Sequence, residues 1–297
     1  MSDFGRLARR TGLRTVVAAA VAAPLVGSVR AAATLHEYRP LRVMTFNLRF
    51  ASAVEPNSWA ARRPVMRALL CGEAPHVIGT QEGVYQQLRD ICLDLGPHYD
   101  WIGTGREHGS HDESMAVFFD RRRLAPAEYD HFWLSDTPEV IGSNTWGGAH
   151  VRMVTWVRFR DLQDDGREFY VLNTHLDNVS QYARTRGAAL IAERAAGLDR
   201  KLPLMITGDF NAVAHKNPAY DTLLAAGLVD TWDAAAERGA AYGTFHDYKP
   251  LTPHGDRIDW ILATPGVRIR RAWVSTFCVD GQFPSDHLPV QVTLSLE

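Results

Sequence analysis

The stretch Pro203-Leu204-Met205-Ile206-Thr207-Gly208-Asp209-Phe210-Asn211 decides how this chain is read. Its apolar half, from Pro203 to Thr207, is a short strand. Its polar half sets a carboxylate and a carboxamide two residues apart, on one side of an extended segment. Alone, Asp209 and Asn211 read better as an Asx-type turn after a strand. The same design recurs, however, at Thr45-Phe46-Asn47, Gln81-Glu82, Asn173-Thr174-His175-Leu176, Arg257-Ile258-Asp259-Trp260 and Ser285-Asp286-His287-Leu288-Pro289. Each puts an acid, amide or imidazole at or just past the end of a short apolar run. Six such sites can converge on a hard cation and a phosphate, so the residues read first as a metal-dependent phosphoesterase.

The segments between these sites supply a fold. Leu41 to Phe46 is a strand that exits at Asn47. Asn57-Ser58 caps a helix running to about Leu70. His76 to Gly79 is a buried strand that delivers Gln81 and Glu82, and a helix follows from about Val84 to Leu95. Met115 to Phe119 and Phe132 to Leu134 read as strands. Asp164-Asp165-Gly166 is a hairpin signal between the strands Val151–Phe159 and Glu168–Asn173. Ser180 caps a helix reaching Leu198, and Ile258–Leu262, Ile269–Ser275 and Leu288–Leu294 complete the strands. No repeat or composition break follows residue 40, so one domain is expected from 35 to 297. Strands outnumber helices, and hairpins mix with crossovers. That suits an α/β sandwich of two packed, mainly antiparallel or mixed sheets with helices outside.

The first 34 residues read as an export signal rather than as part of the fold. Arg9-Arg10 precede an apolar stretch from Val16 to Val29, and small residues Ala31 to Ala33 follow. This is the charged, apolar, small-residue order of a secretory signal, and the paired arginines fit the twin-arginine route. The expected location is outside the cytoplasm, with no stable membrane insertion after cleavage. Without this segment, the 32 basic and 34 acidic residues fall to 27 and 33, a net charge of −6. No Lys/Arg run remains, so no large footprint for duplex nucleic acid is evident. The three cysteines, Cys71, Cys92 and Cys278, lie far apart without zinc spacing and are expected to be buried free thiols. A monomer is expected.

The ordered motifs resemble the endonuclease/exonuclease/phosphatase superfamily over about residues 40–297. The segment Phe132–Pro138, with Thr155-Trp156, resembles exported bacterial members related to its deadenylase–nocturnin branch. The resemblance implies a four-layered α/β sandwich with the site at the top of two sheets. It also implies roles. Glu82 holds Mg²⁺ (or Mn²⁺), helped by Asn47 and Asp286. Asp209 and Asn211 grip the phosphate and its attacking water. His287, oriented by Asp259, acts as general base, with Asp209 the alternative, and His175 stabilises charge on the phosphoryl oxygens. Arg152, Asn178 and Arg184 are candidates for binding the phosphate or its neighbour, although Arg184 reads equally as a solvated helix arginine. Glu113, in the polar loop 106–114, is a candidate for the pocket rim, and His246 falls in a Thr-Phe-His segment like the family's late loop.

The function expected is hydrolysis of a phosphate ester on a small phosphorylated metabolite or a nucleotide end. RNA or DNA nuclease activity is the alternative, and a non-catalytic binding module on the same fold the third reading.

Overall fold

The computed structural model describes residues 39–296. The segment read as an export signal lies outside them. The strands are β1 (Leu41–Asn47), β2 (Val77–Val84), β3 (Tyr99–Ile102), β4 (Glu113–Asp120), β5 (Leu124–Trp133), β6 (Met153–Asp161), β7 (Glu168–His175), β8 (Leu204–Asp209), β9 (Val229–Asp230), β10 (Glu237–Arg238), β11 (Asp259–Ala263), β12 (Val267–Val274) and β13 (Val290–Leu296). The helices are α1 (Trp59–Glu73), α2 (Tyr85–Leu95), α3 (Gln181–Ala196), α4 (Pro218–Ala225) and the short α5 (Thr231–Ala234).

Two mixed sheets form. One has the order β10-β12-β13-β1-β2-β4-β3 and the other β5-β6-β7-β8-β11-β9. Alternation along the strands explains the layers. In β1, Val43 points into the core between the sheets, with Val77, Val117, Val157, Val171, Met205 and Ile261. Met44 and Phe46 point the other way, onto Met66, Leu69 and Leu70 of α1 and Leu88 and Ile91 of α2. The second sheet does the same. Leu172, Ile206, Trp260 and Leu262 meet Ala188 and Ile191 of α3 and Ala219 and Leu223 of α4. The central strands are covered on both faces, which is why they read as nearly unbroken apolar runs. The result is the four-layered α/β sandwich expected.

Helix starts follow their caps. Ser58 accepts from the Ala61 N–H and Ser180 from the Ala183 N–H. The hairpin at Asp165-Gly166 forms with both residues at positive φ. β3 and α4 escaped the pattern reading, because each is short and lacks a clear period. The cysteines are free but not buried as expected. Cys71 and Cys278 are exposed, and Cys92 is partly covered. Cys71 sits on the outer face of α1, where the helical period places it opposite the buried stripe.

The sheets approach closely beneath the site. A Cβ on Gly79 would overlap Thr207 Oγ1 across the gap. Asn173 bridges there, donating to the carbonyls of Thr80 and Ala116 and accepting from Gln81 Nε2 at 2.7 Å and Thr207 Oγ1 at 3.1 Å. Gln81 and Asn173 therefore tie one sheet to the other. Among the described residues no helix is long and apolar enough to cross a membrane.

Candidate active site

Strand register assembles the site. β1 and β2 run parallel through α1, with Asn47 opposite Gln81. β7 and β8 run parallel through α3, with His175 opposite Asp209. β11 runs antiparallel on the other side of β8, with Asp259 also opposite Asp209. The C-terminal ends of both parallel pairs thus open on one rim, and Asp209 lies between His175 and Asp259. Glu82 reaches the rim through an irregularity in the β2–β4 pairing between Thr80 and Gly83, at φ 62°. Asn211 has φ 46°. Non-glycine residues held in this left-handed region mark backbone strain that surrounding contacts must hold, and such strain concentrates at functional sites.

Asp209 is the hub. Its Oδ1 accepts from the Asn211 N–H and its Oδ2 from Asn47 Nδ2, both at 2.9 Å. His175 Nε2 lies 3.4 Å and His287 Nε2 3.8 Å from the same Oδ2. His287 Nδ1 is held by Asp259 Oδ2 at 3.0 Å. Burial alone would lower the His287 pKa, but Asp259 and Asp209 outweigh it and raise it. Burial, reinforced by Asp259, pushes Asp209 up to about 6. His175 is different. Burial, with Arg152 and His287 nearby, drives it well below its ordinary value, so it is neutral. Its Nε2 meets Asn211 Nδ2 at 2.9 Å, an amide that also donates to the Leu176 carbonyl. The His175 proton therefore sits on Nδ1, a buried atom with no partner among the described residues.

The donor set fits a divalent cation. Asn47 Nδ2 lies 2.9 Å from Glu82 Oε1 and 2.9 Å from Asp209 Oδ2, so one amide is shared by two carboxylates. Glu82, His175 and Asp209 offer ligand atoms within 4.8 Å of one another. Carboxylates brought this close repel unless a positive charge lies between them. Asp286 lines the same cleft, but Arg49 Nη1 takes its carboxylate at 2.9 Å, and it is not in the Glu82–His175–Asp209 cluster.

The cleft has a volume of about 470 Å³. Of the other residues singled out in the sequence, Arg152, Asn178 and Glu113 line it. Arg184 does not. Its guanidinium folds back onto the Asp177 carbonyl at 2.8 Å and onto Gln181 Oε1, which corrects its placement among the substrate residues. Among the described residues, Arg152 is buried and donates only to Asn178 Oδ1, at 3.3 Å, while its Nε and Nη1 have no partner. Burial, with Arg106 beside it, lowers the Arg152 pKa, and Glu113 and Asp209 oppose that shift. His246 is buried against Phe283 next to the cleft.

The sequence did not single out Phe50, His150 and Phe245, which also line the cleft. Nor did it flag Arg62. This fully buried arginine of α1 donates to the carbonyls of Leu48, Arg49, Phe50, Asn57 and Pro284. It ties the loop after Asn47 to the loop before Asp286. An arginine on a helix carries no local signal for that role, because its partners are backbone atoms of distant loops.

Comparison with known proteins agrees with this geometry. The model of the endonuclease/exonuclease/phosphatase family matches residues 44–287. A solved family protein from Bacteroides thetaiotaomicron is 34% identical, with a TM-score of 0.81, over 88% of this chain and 100% of the other. A mannosyl-6-phosphatase from the same organism is 33% identical, with a TM-score of 0.80, over 86% and 100%. The human nocturnin catalytic domain, with bound sulfate, shares the fold at 18% identity and a TM-score of 0.68, over 87% and 95%. No curated protein matches the chain in sequence. With Asp209, Asn211, His175, Asp259 and His287 gathered on one rim and the family model spanning nearly all of the described residues, the chain belongs to the endonuclease/exonuclease/phosphatase family, whose members are divalent-metal-dependent hydrolases of phosphoester bonds.

Proposed function

We propose that this protein hydrolyses the phosphate ester of a small phosphorylated metabolite, using Mg²⁺ or Mn²⁺, outside the cytoplasm. The observation that carries the reading is the convergence of Asn47, His175, Asn211 and His287 on the single carboxylate of Asp209. Glu82 and Asp209, positioned by the Asn47 amide that donates to both, would hold the cation, whose chemistry is to neutralise phosphoryl charge and lower the pKa of bound water. Oxygen ligands suit these hard ions. The Asp209–His287 pair takes the proton of the attacking water, with Asp259 fixing the ring through Nδ1. Asn211 orients the phosphate, and the unpaired N–H groups of Arg152 receive a phosphoryl oxygen. The mannosyl-6-phosphatase described above supports a small phosphomonoester. The Arg9-Arg10 segment supports export by the twin-arginine route.

The test is turnover of p-nitrophenyl phosphate, bis-p-nitrophenyl phosphate and a single-stranded oligonucleotide, before and after chelation. Monoester hydrolysis that is lost with chelator and restored by Mg²⁺ or Mn²⁺ is expected. Preference for the oligonucleotide would favour a nuclease, and metal-independent turnover would overturn the reading. For export, Lys-Lys in place of Arg9-Arg10 should block secretion, and unaffected secretion would point to the general route.

A further inference from the structure

The cleft has a second wall in which Arg106 is already matched by carboxylates. Arg106 Nε is bound by Asp112 Oδ2 at 2.9 Å and its Nη1 by Glu113 Oε2 at 2.8 Å. Its backbone is fixed as well, since its N–H donates to the Glu113 carbonyl and its own carbonyl accepts from Trp133 Nε1. Arg106 is thus balanced by two carboxylates, Asp112 and Glu113, whereas Arg152 keeps unpaired donors among the described residues.

Glu113 stands where this wall meets the metal side. It opens β4 opposite Val84 of β2, two residues beyond Glu82. Its side chain is 17% exposed, and it lines the cleft. Only Oε2 is engaged by Arg106. Oε1 has no hydrogen-bond partner among the described residues. An ionised carboxylate only accepts hydrogen bonds and repels a phosphate oxygen. Placed beside a phosphate site and held there by Arg106, it calls for a donor on the substrate. The uncharged donor that an ester's alcohol half carries is a hydroxyl.

We propose that Glu113 selects the alcohol half of the substrate by accepting a hydroxyl through Oε1, so that the cleft takes phosphomonoesters of polyhydroxylated alcohols such as hexose phosphates. This rests on the phosphoesterase reading of the same cleft. Glu113 takes no part in bond making or breaking, and Arg106 is its positioning residue. Burial, opposed by Arg106 and reinforced by Glu82, raises the Glu113 pKa to about 7, and in either protonation state the group can pair with a hydroxyl.

The experiment compares kcat/KM of the wild type, Glu113→Gln and Glu113→Asp. The substrates are a hexose 6-phosphate, an unbranched alkyl phosphate of similar length without hydroxyls, and p-nitrophenyl phosphate, with Mg²⁺ present. The wild type should prefer the hexose ester to the alkyl ester. Both variants should lose roughly 10- to 100-fold on the hexose ester, the loss of one buried polar pairing. Their rates on the other two esters should hardly move. Inhibition by the free hexose should weaken in parallel, a readout that a merely structural role for Glu113 would not move selectively. Equal losses on all three esters, or an unchanged hexose rate, would overturn the inference. So would a wild type with no preference for the hexose ester, an arm that needs no variant to fold. A wild type that hydrolyses p-nitrophenyl phosphate but no hexose phosphate would remove this inference and leave the phosphoesterase reading standing. No turnover of any ester with metal would remove both.

Discussion

Two buried arginines at opposite ends of the sandwich differ in how completely they are used. Arg123, at the start of β5, sits at the closed end. Its Nε and Nη2 grip Asp161 at distances from 2.9 to 3.3 Å, and its remaining N–H groups reach the carbonyls of Arg39 and Pro40. Arg152, entering β6 at the open rim, is just as buried, yet Nε and Nη1 have no partner among the described residues. A guanidinium carries five N–H donors, so three of them are left dry at Arg152. Unpaired buried donors cost free energy, and at a cleft a bound ion, water or ligand can complete them. The closed end is finished by the chain itself. On the function proposed above, the rim is completed by a cation between the carboxylates and by oxygens of the substrate.

The comparison can be broken first at the metal carboxylate. Glu82→Ala should cut turnover by at least about 10³-fold, because a bound cation is worth several kcal/mol of transition-state stabilisation. Its thermal midpoint should be unchanged or raised, since a crowded carboxylate is gone. Full activity in this variant would remove Glu82 from the site.

The proton relay comes next. His287→Ala and Asp259→Asn should each lower kcat by roughly 10²- to 10⁴-fold with little change in KM. The double variant should be scarcely worse than either single, as expected of groups acting as one unit. Losses that multiply would separate the pair and leave Asp209 as the base by itself.

The arginines themselves give the sharpest contrast in stability. Arg123→Met strands the Asp161 carboxylate and should destabilise by about 3–5 kcal/mol with normal activity in the folded fraction. Arg152→Met should be neutral or stabilising, and should raise KM. Denaturant titrations of the two variants decide this, and equal destabilisation would show that Arg152 is as structural as Arg123.

The smallest effect concerns pH at the closed end. His76 Nδ1 accepts from the Arg42 N–H at 3.0 Å. Burial, with Arg123 and Arg42 beside the ring, pushes its pKa down to about 3. The unfolded chain takes up that proton near pH 6.5 and the native state does not. Stability from this group is therefore complete above about pH 6.5 and is lost progressively as pH falls toward 3. His76→Asn keeps an acceptor for Arg42 without the titration. Its melting temperature should fall less between pH 7 and pH 4.5 than that of the wild type, and identical slopes would exclude His76.

What the sequence determined is local. Apolar runs of strand length, the caps Ser58 and Ser180 and the Asp165-Gly166 turn placed the main elements, since period and capping act over two to four residues. Strand-end polar residues such as Asn47, Glu82, Asp209 and His287 were visible for the same reason. The order of those motifs was enough to suggest the family. Only the tertiary structure decided which polar groups are spent and which are left open. Asn173 and Gln81 turned out to tie the sheets, Arg62 to pin two loops, and Arg49 to claim Asp286. Arg184 turned back on its own helix, and Arg152 was left with free donors. These pairings join residues up to 237 positions apart, as Arg49 and Asp286 are. Their partners are set by strand register and the close approach of two sheets, neither of which leaves a mark on the residues nearby in sequence.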